Sequence, residues 1–171
     1  AARIPGTSLA AAPSDRKDFD GQLPALLDNA LRFLQLHLPV PHVIHGLEPE
    51  PRPELPETAL REALVNALAH RDYTVQGAVR LLIFDDRVEI HTPGALPNTV
   101  TVEAMRLGAA HIARNPTIYT LCARLGLVTG IGSGVLRMIQ SVREATGKEV
   151  DLLARESEFV VVMPRAVERR A

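Results

Sequence analysis

Glu62, Asn66 and His70 recur four residues apart in the segment Arg61-Glu62-Ala63-Leu64-Val65-Asn66-Ala67-Leu68-Ala69-His70. On a helix that interval places a carboxylate, an amide and an imidazole on one face. A carboxylate can orient and deprotonate a water, and an amide oxygen can ligate a hard cation such as Mg²⁺ that is already bridged to phosphates. The same three residues also fit an ordinary solvated helix face. A second candidate is the turn Gly130-Ile131-Gly132-Ser133-Gly134, which runs directly into a stripe of Val135, Met138, Ile139 and Val142. Glycines at the start of a helix leave backbone N–H groups open, and the positive end of the helix dipole makes such a place a phosphate cradle. The alternative for this segment is a flexible loop with a capping glycine.

Weaker constellations can be set beside these. His42 and His45 offer two metal ligands without an evident third or fourth, after a proline that argues against a helical frame. Arg114 can reach a phosphate or pair on the surface. Ser133 lies in no nucleophile motif, His91 reads as packed or pocket-lining, and the run from Arg165 to Arg170 is short and interrupted by Glu168.

The elements that must position these residues follow from periodicity. Residues 1–20 lack it and read as an irregular lead-in. Leu23, Leu26, Leu27, Ala30, Leu31 and Leu34 predict a helix over 21–37. Six prolines between 39 and 56 forbid a regular helix or central strand, leaving an extended connector or an edge strand. A helix from Pro56-Glu57 to about Arg71 carries the polar trio opposite Leu60, Leu64, Ala67 and Leu68.

Residues 78–84 and 87–91 form a hairpin about Asp85-Asp86, closed by Pro93-Gly94. Residues 102–110 are weakly helical. Asn115 caps a helix with Pro116 at its first position, an apolar stripe of Ile118, Leu121, Cys122 and Leu125, and Gly126 at its end. The last helix ends at Gly147, and residues 150–153 and 159–163 supply two closing strands before a charged tail at 164–171. The order predicts an α+β fold: a two-layer sandwich, with helices on one face of a mixed, mostly antiparallel sheet.

The chain has 171 residues, 46% apolar and 23% charged, which suits one domain with its own core and excludes a disordered tail. A formal net charge of −1 gives no bulk attraction to nucleic acid or anionic membranes. Direct nucleic acid binding is therefore not expected. No apolar run is long enough to span a bilayer and the first residues show no secretory pattern, so the expectation is a soluble, cytoplasmic protein. Cys122 alone allows no internal disulfide and reads as core filler. The chain begins at Ala1, which is compatible with a fragment of a longer protein and equally with removal of an initiator Met before Ala.

Taken in order, the strings from Arg61 to Tyr73, Phe84 to Ile90, Pro93-Gly94, Arg114-Asn115-Pro116 and Gly132-Ser133-Gly134 carry a resemblance that neither motif carries alone. They resemble the C-terminal ATP-binding domain of RecG-like or Schlafen-type, AlbA-associated bacterial transcriptional regulators, a divergent relative of the GHKL ATPases. The resemblance spans residues 21–163 as a single domain. It implies ATP or ADP with Mg²⁺ as cofactors, Glu62 as the carboxylate that activates water, and Asn66 as the Mg²⁺ ligand. His70 would line the pocket, Gly94 would be the glycine of the adenine-side motif, and Gly130, Gly132, Ser133 and Gly134 would form the phosphate lid. One departure is Thr92, which stands where the wider superfamily has the acid that reads the adenine amino group. A hydroxyl carries no charge, which bears on both selectivity and affinity.

The implied partners are an N-terminal DNA-associated domain in a longer parent protein and a second copy in a homodimer. Nucleotide binding would order the glycine lid and shift a dimer or interdomain equilibrium. At most a slow Mg²⁺-dependent ATPase is implied. The competing expectation is a degenerate scaffold for dimerisation or interaction that has lost the nucleotide.

Overall fold

The hairpin at Asp85-Asp86 builds the centre of the sheet. The structure, a computed structural model, describes residues 1–40, 42–45, 48–51, 53–109, 112–128 and 133–166, with 42–45 and 48–51 described by backbone alone. Strand β5 (Arg80–Ile83) turns into β6 (Arg87–Pro93), with the Phe84 N–H donating to the Arg87 carbonyl at 2.9 Å. Along β6, Val88 and Ile90 point into the main core and are fully buried, whereas Arg87, Glu89 and His91 point to the opposite face. This is the two-residue alternation of a strand. Strands β7 (Asp151–Ala154) and β8 (Glu158–Pro164) complete that side, with β8 antiparallel to both β6 and β7.

The first twenty residues are not an irregular lead-in. Strands β1 (Ala2–Arg3) and β2 (Asp15–Arg16) extend the sheet to the order β2-β1-β5-β6-β8-β7. β1 lies parallel to β5, in the register Ala2 with Leu82. Two-residue strands carry no period to read. They are held by non-local contacts: the Ile4 N–H donates to the Ile83 carbonyl at 2.8 Å, Asp85 accepts from the Gly6 N–H at 2.8 Å, and Arg3 pairs with Asp85. Ala2, Ile4, Leu82 and Phe84 form a small cluster of their own. The proline-rich segment forms a separate two-stranded antiparallel ribbon, β3 (His42–His45) with β4 (Glu48–Pro51).

Helix α1 (Leu23–His37) begins with proline in its first turn and buries Leu27, Ala30, Phe33 and Leu34. Helix α2 (Glu57–His70) is buried on more than one side, at Ala59, Leu60, Ala63, Leu64, Val65, Ala67 and Ala69. A helix that is apolar around most of its circumference lies inside the fold. The short α3 (Val102–Arg106) stops at Gly108, earlier than the predicted 110, and α4 (Pro116–Arg124) ends at Gly126. Only Cys122 of the predicted α4 stripe is buried, while Leu121 and Leu125 are exposed. Helix α5 (Gly134–Thr146) buries Met138, Ile139 and Val142 and ends on Gly147 at φ +69°. The main core is shared by α1, α2, α5 and one face of the sheet, so the molecule is an α+β fold with a mixed six-stranded sheet.

The tail beyond β8 is also not free at its start. Arg165 is buried, donating to Glu54 Oε2 at 2.7 Å and to the Phe84 carbonyl at 2.6 Å. Its charge is matched inside the fold, which removes it from any basic surface patch.

Candidate functional site

One face of α2 forms the wall of an open cleft whose other sides come from the end of β6, the segment after Gly94, α4 and the start of α5. Glu62, Asn66 and His70 all line it, as do Thr92, Gly94 and Gly134. With its open mouth included, the cleft spans about 1060 Å³ of space not filled by protein atoms. The polar face of α2 is therefore turned into a cavity between elements and is not a freely solvated surface.

At the α5 end, Asn66 Nδ2 donates to Glu62 Oε1 at 3.1 Å. That bond fixes the amide so that its oxygen is left for another partner, and no bond to this oxygen is formed among the described residues. Glu62 lies directly against Gly134, where a Cβ would overlap its carboxylate. Gly134 is the first residue of α5, and its backbone approaches Glu62 as only glycine permits. The result is a carboxylate, a free amide oxygen and a helix N-terminus in one place. Ser133 precedes α5 without a capping side-chain hydrogen bond and does not line the cleft. Gly130 and Gly132 lie outside the described residues.

The other end is assembled by a clamp. Asn115 was expected to cap its own helix; instead Nδ2 donates to the carbonyls of Ala69 at 3.0 Å and Arg71 at 2.7 Å, closing the C-terminus of α2. Arg114 donates to Asp72 Oδ2 at 2.7 Å and also to the Ala95 carbonyl. The Asp72 N–H donates to the Pro93 carbonyl at 2.9 Å. Gly94, at φ +105°, sits beneath this clamp: a Cβ there would come within 2.5 Å of Asp72 Cβ and 2.8 Å of Arg114 Nη1. The strings Arg71-Asp72-Tyr73 and Arg114-Asn115-Pro116 thus join α2, β6 and α4. Hydrogen bonds from Thr74 are the largest influence on Asp72 and, with Arg114 nearby, hold its carboxyl below the usual range.

Between the two ends the lining is apolar, with Leu96, Pro97, Val100, Met105 and Phe159 among its residues. These were missed in the sequence. The apolar run Ala95-Leu96-Pro97 after Gly94 was the signal available. His91 does not line the cleft: it lies on the opposite sheet face, 2.8 Å from Glu89 Oε2 and 3.1 Å from Glu158 Oε2. Asp85 and Asp86 lie at the hairpin turn, bonded to Arg3 and Arg87 respectively. The side chains of His42 and His45 lie outside the described residues. Among the described residues no helix is long and apolar enough to cross a membrane.

Comparison with curated proteins gives no match. Among solved structures, the fold is similar to the crystal structure of the DIP2311 protein from Corynebacterium diphtheriae, with a TM-score of 0.79 and 24% sequence identity. The similarity covers 96% of this chain and 34% of that one, so this chain spans about a third of the length of that protein. A family model matches residues 76–163, which include Thr92, Gly94 and the glycine turn; Glu62, Asn66 and His70 on α2 precede the matched span. With just over half of its length matched, the chain belongs to the ATPase-like family described as "Putative ATP-dependent DNA helicase recG C-terminal".

Proposed function

We propose that the cleft binds ATP or ADP with Mg²⁺ and turns ATP over slowly, as the regulatory domain of a larger DNA-associated transcriptional regulator. The observation that carries this reading is the convergence of Glu62, Asn66 and the α5 N-terminus at Gly134. The free Asn66 amide oxygen is the kind of hard donor that suits Mg²⁺, and a Cβ-free helix start suits a phosphate. When bound, Mg²⁺ neutralises charge on the phosphate oxygens. Asn66 holds the cation, Glu62 orients a water and takes its proton, and the backbone at the start of α5 receives the phosphates. Glycines 130 and 132 belong to the same cradle in this reading, with Ser133 beside them. His70, Thr92 and Gly94 border the nucleoside. Occupancy of the cleft then biases a dimer or interdomain equilibrium of the parent protein.

Thermal melting with millimolar MgATP and MgADP tests this. A ligand at a hundredfold excess over its Kd stabilises by about 2.7 kcal/mol, and Asn66→Ala is expected to remove most of the shift. An unchanged Tm in the wild type would sink the proposal.

Thr92 favours a second reading, a scaffold for dimerisation that no longer binds nucleotide. A concentration-dependent dimer with no nucleotide response supports that reading over the first.

A further inference from the structure

Strand β7 is an edge of the six-stranded sheet. β8 pairs with one side of it, in the register Asp151 with Val162 to Ala154 with Phe159, and no described strand pairs with the other. The Arg155 N–H donates to the Glu158 carbonyl at 3.0 Å, which continues the β7–β8 ladder by one pair. Hydrogen-bonded and non-hydrogen-bonded pairs alternate along an antiparallel ladder. Positions 155, 153 and 151 therefore turn their backbone groups toward β8, and positions 154 and 152 turn theirs to the open side. The Val150 carbonyl, on the open side by the same alternation, accepts from Arg106 of α3 at 2.8 Å. Beyond that point Leu152 and Ala154 present N–H and C=O groups that no described strand meets.

Side chains alternate as well. Leu152 points into the main core, so Asp151, Leu153 and Arg155 share the opposite face. Leu153 is 39% exposed although it is a large apolar residue in a strand. Asp151 is exposed and forms no hydrogen bond or ion pair among the described residues. Arg155 bonds to Glu158 Oε1 at 2.6 Å with 54% of its side chain exposed. An open edge strand is a template for another strand, and proteins commonly blunt such edges with proline, a bulge or charge. β7 contains no proline, and the two charges that flank Leu153, Asp151 and Arg155, are of opposite sign and equally spaced from it.

We propose that β7 is a homodimer interface, in which two copies join edge to edge, antiparallel, about a twofold axis at Leu153. In that register Leu152 of each copy lies opposite Ala154 of the other, so outward backbone groups meet outward backbone groups, and each such pair exchanges both of its N–H···O bonds. Leu153 meets Leu153 at the non-hydrogen-bonded position, where side chains approach most closely. Asp151 of each copy falls opposite Arg155 of the other, and directly opposed unlike charges stabilise an antiparallel pair. Moving the axis to Leu152 or to Ala154 loses this match, because Asp151 or Arg155 respectively then faces Leu153. An in-register parallel pairing sets like charges side by side. The contact is small and belongs to the weak, transient class of interfaces. It gives a surface to the dimer equilibrium proposed above, and it does not require that the cleft hold a nucleotide.

Sedimentation velocity of the 171-residue chain without nucleotide tests this. The wild-type chain is expected to dimerise reversibly with a Kd of about 1 mM or below. Asp151→Arg and Arg155→Asp each set like charges opposite one another at both ends of the contact, and each alone is expected to weaken the dimer by about tenfold or more. A mixture of the two variants restores unlike pairs at both ends and is expected to associate as the wild type does. Ala154→Pro removes an N–H that faces the open side, where an edge strand tolerates proline, and is expected to weaken the dimer with little change in Tm. A chain that stays monomeric to about 1 mM overturns the proposal. So does a dimer whose Kd is unchanged by Asp151→Arg and Ala154→Pro, or a mixture that associates no better than the single variants. Each of these results leaves nucleotide binding standing. Should Arg155→Asp or Ala154→Pro fail to fold, Asp151→Arg, which gives up no bond within the monomer, still decides the matter.

Discussion

The first residue of α5, Gly134, lies so close to the Glu62 carboxylate that a Cβ added at 134 would come within 1.7 Å of Oε1. The obstacle is the far end of a flexible side chain and not backbone, so Gly134→Ala can be accommodated by swinging Glu62 aside. Alanine is also a better helix former than glycine, by about 1 kcal/mol at interior positions. Folding stability is therefore expected to change by less than about 1 kcal/mol, while any ATP turnover falls by about 10²-fold, as removing a positioned general base does. Chemical denaturation and a phosphate-release assay read the two separately. A large loss of stability would mean that Glu62 is fixed by more than its bond to Asn66.

Asn115 ties α4 to the end of α2 through the carbonyls of Ala69 and Arg71. Asn115→Ala removes both bonds in a part-buried setting, and the expected loss is about 1–3 kcal/mol by urea unfolding. Asn115→Asp is expected to cost more, because a carboxylate cannot donate and sets a negative charge against the negative end of the helix dipole. Equal losses for the two variants would argue that shape, and not the donated bonds, is what position 115 supplies.

Glu89 and Glu158 flank His91 on the sheet face away from the cleft. Burial is the largest influence on both and acts to raise their carboxyls. Hydrogen bonds with His91 and from Arg87 to Glu89 or Arg80 to Glu158 outweigh it, and hold both below their usual value of 4.5. A carboxylate depressed in the folded state binds fewer protons there than in the unfolded chain. Its stabilisation is thus complete above the unfolded value and is lost as the pH falls through the folded one. Stability is expected to be level from about pH 7 to about pH 5.5 as far as these two groups are concerned, then to decline below about pH 4.5. A Glu89→Gln, Glu158→Gln double variant is expected to decline less steeply. Parallel acid limbs in urea titrations of the two proteins would contradict this assignment.

Helices α1, α2 and α5 and the β5–β6 hairpin were legible because each is long enough to repeat its period several times. Pro116, Gly126 and Gly147 mark helix ends by local chemistry that does not depend on the rest of the chain. β1 and β2 were not legible: two residues each, they are strands only because β5 offers an open edge and Asp85 reaches Arg3 and Gly6. Arg165 looked like part of a basic tail, and the Glu54 partner that takes it inside is over a hundred residues away. Leu121 and Leu125 fit a helical stripe, but the stripe is wider than the surface that α4 buries.

By itself the sequence determined the shared face of Glu62, Asn66 and His70, the start of α5 at Gly134, and the hairpin that ends at Gly94. Each is fixed by backbone periodicity or by glycine's conformational range, both of which act over a few residues. Only the tertiary structure decided that this face borders a cleft, that Glu62 meets Gly134, and that Asp72 and Arg114 neutralise one another there. Those relationships join positions tens of residues apart, and burial, which requires each carboxylate to find a partner, selects among them.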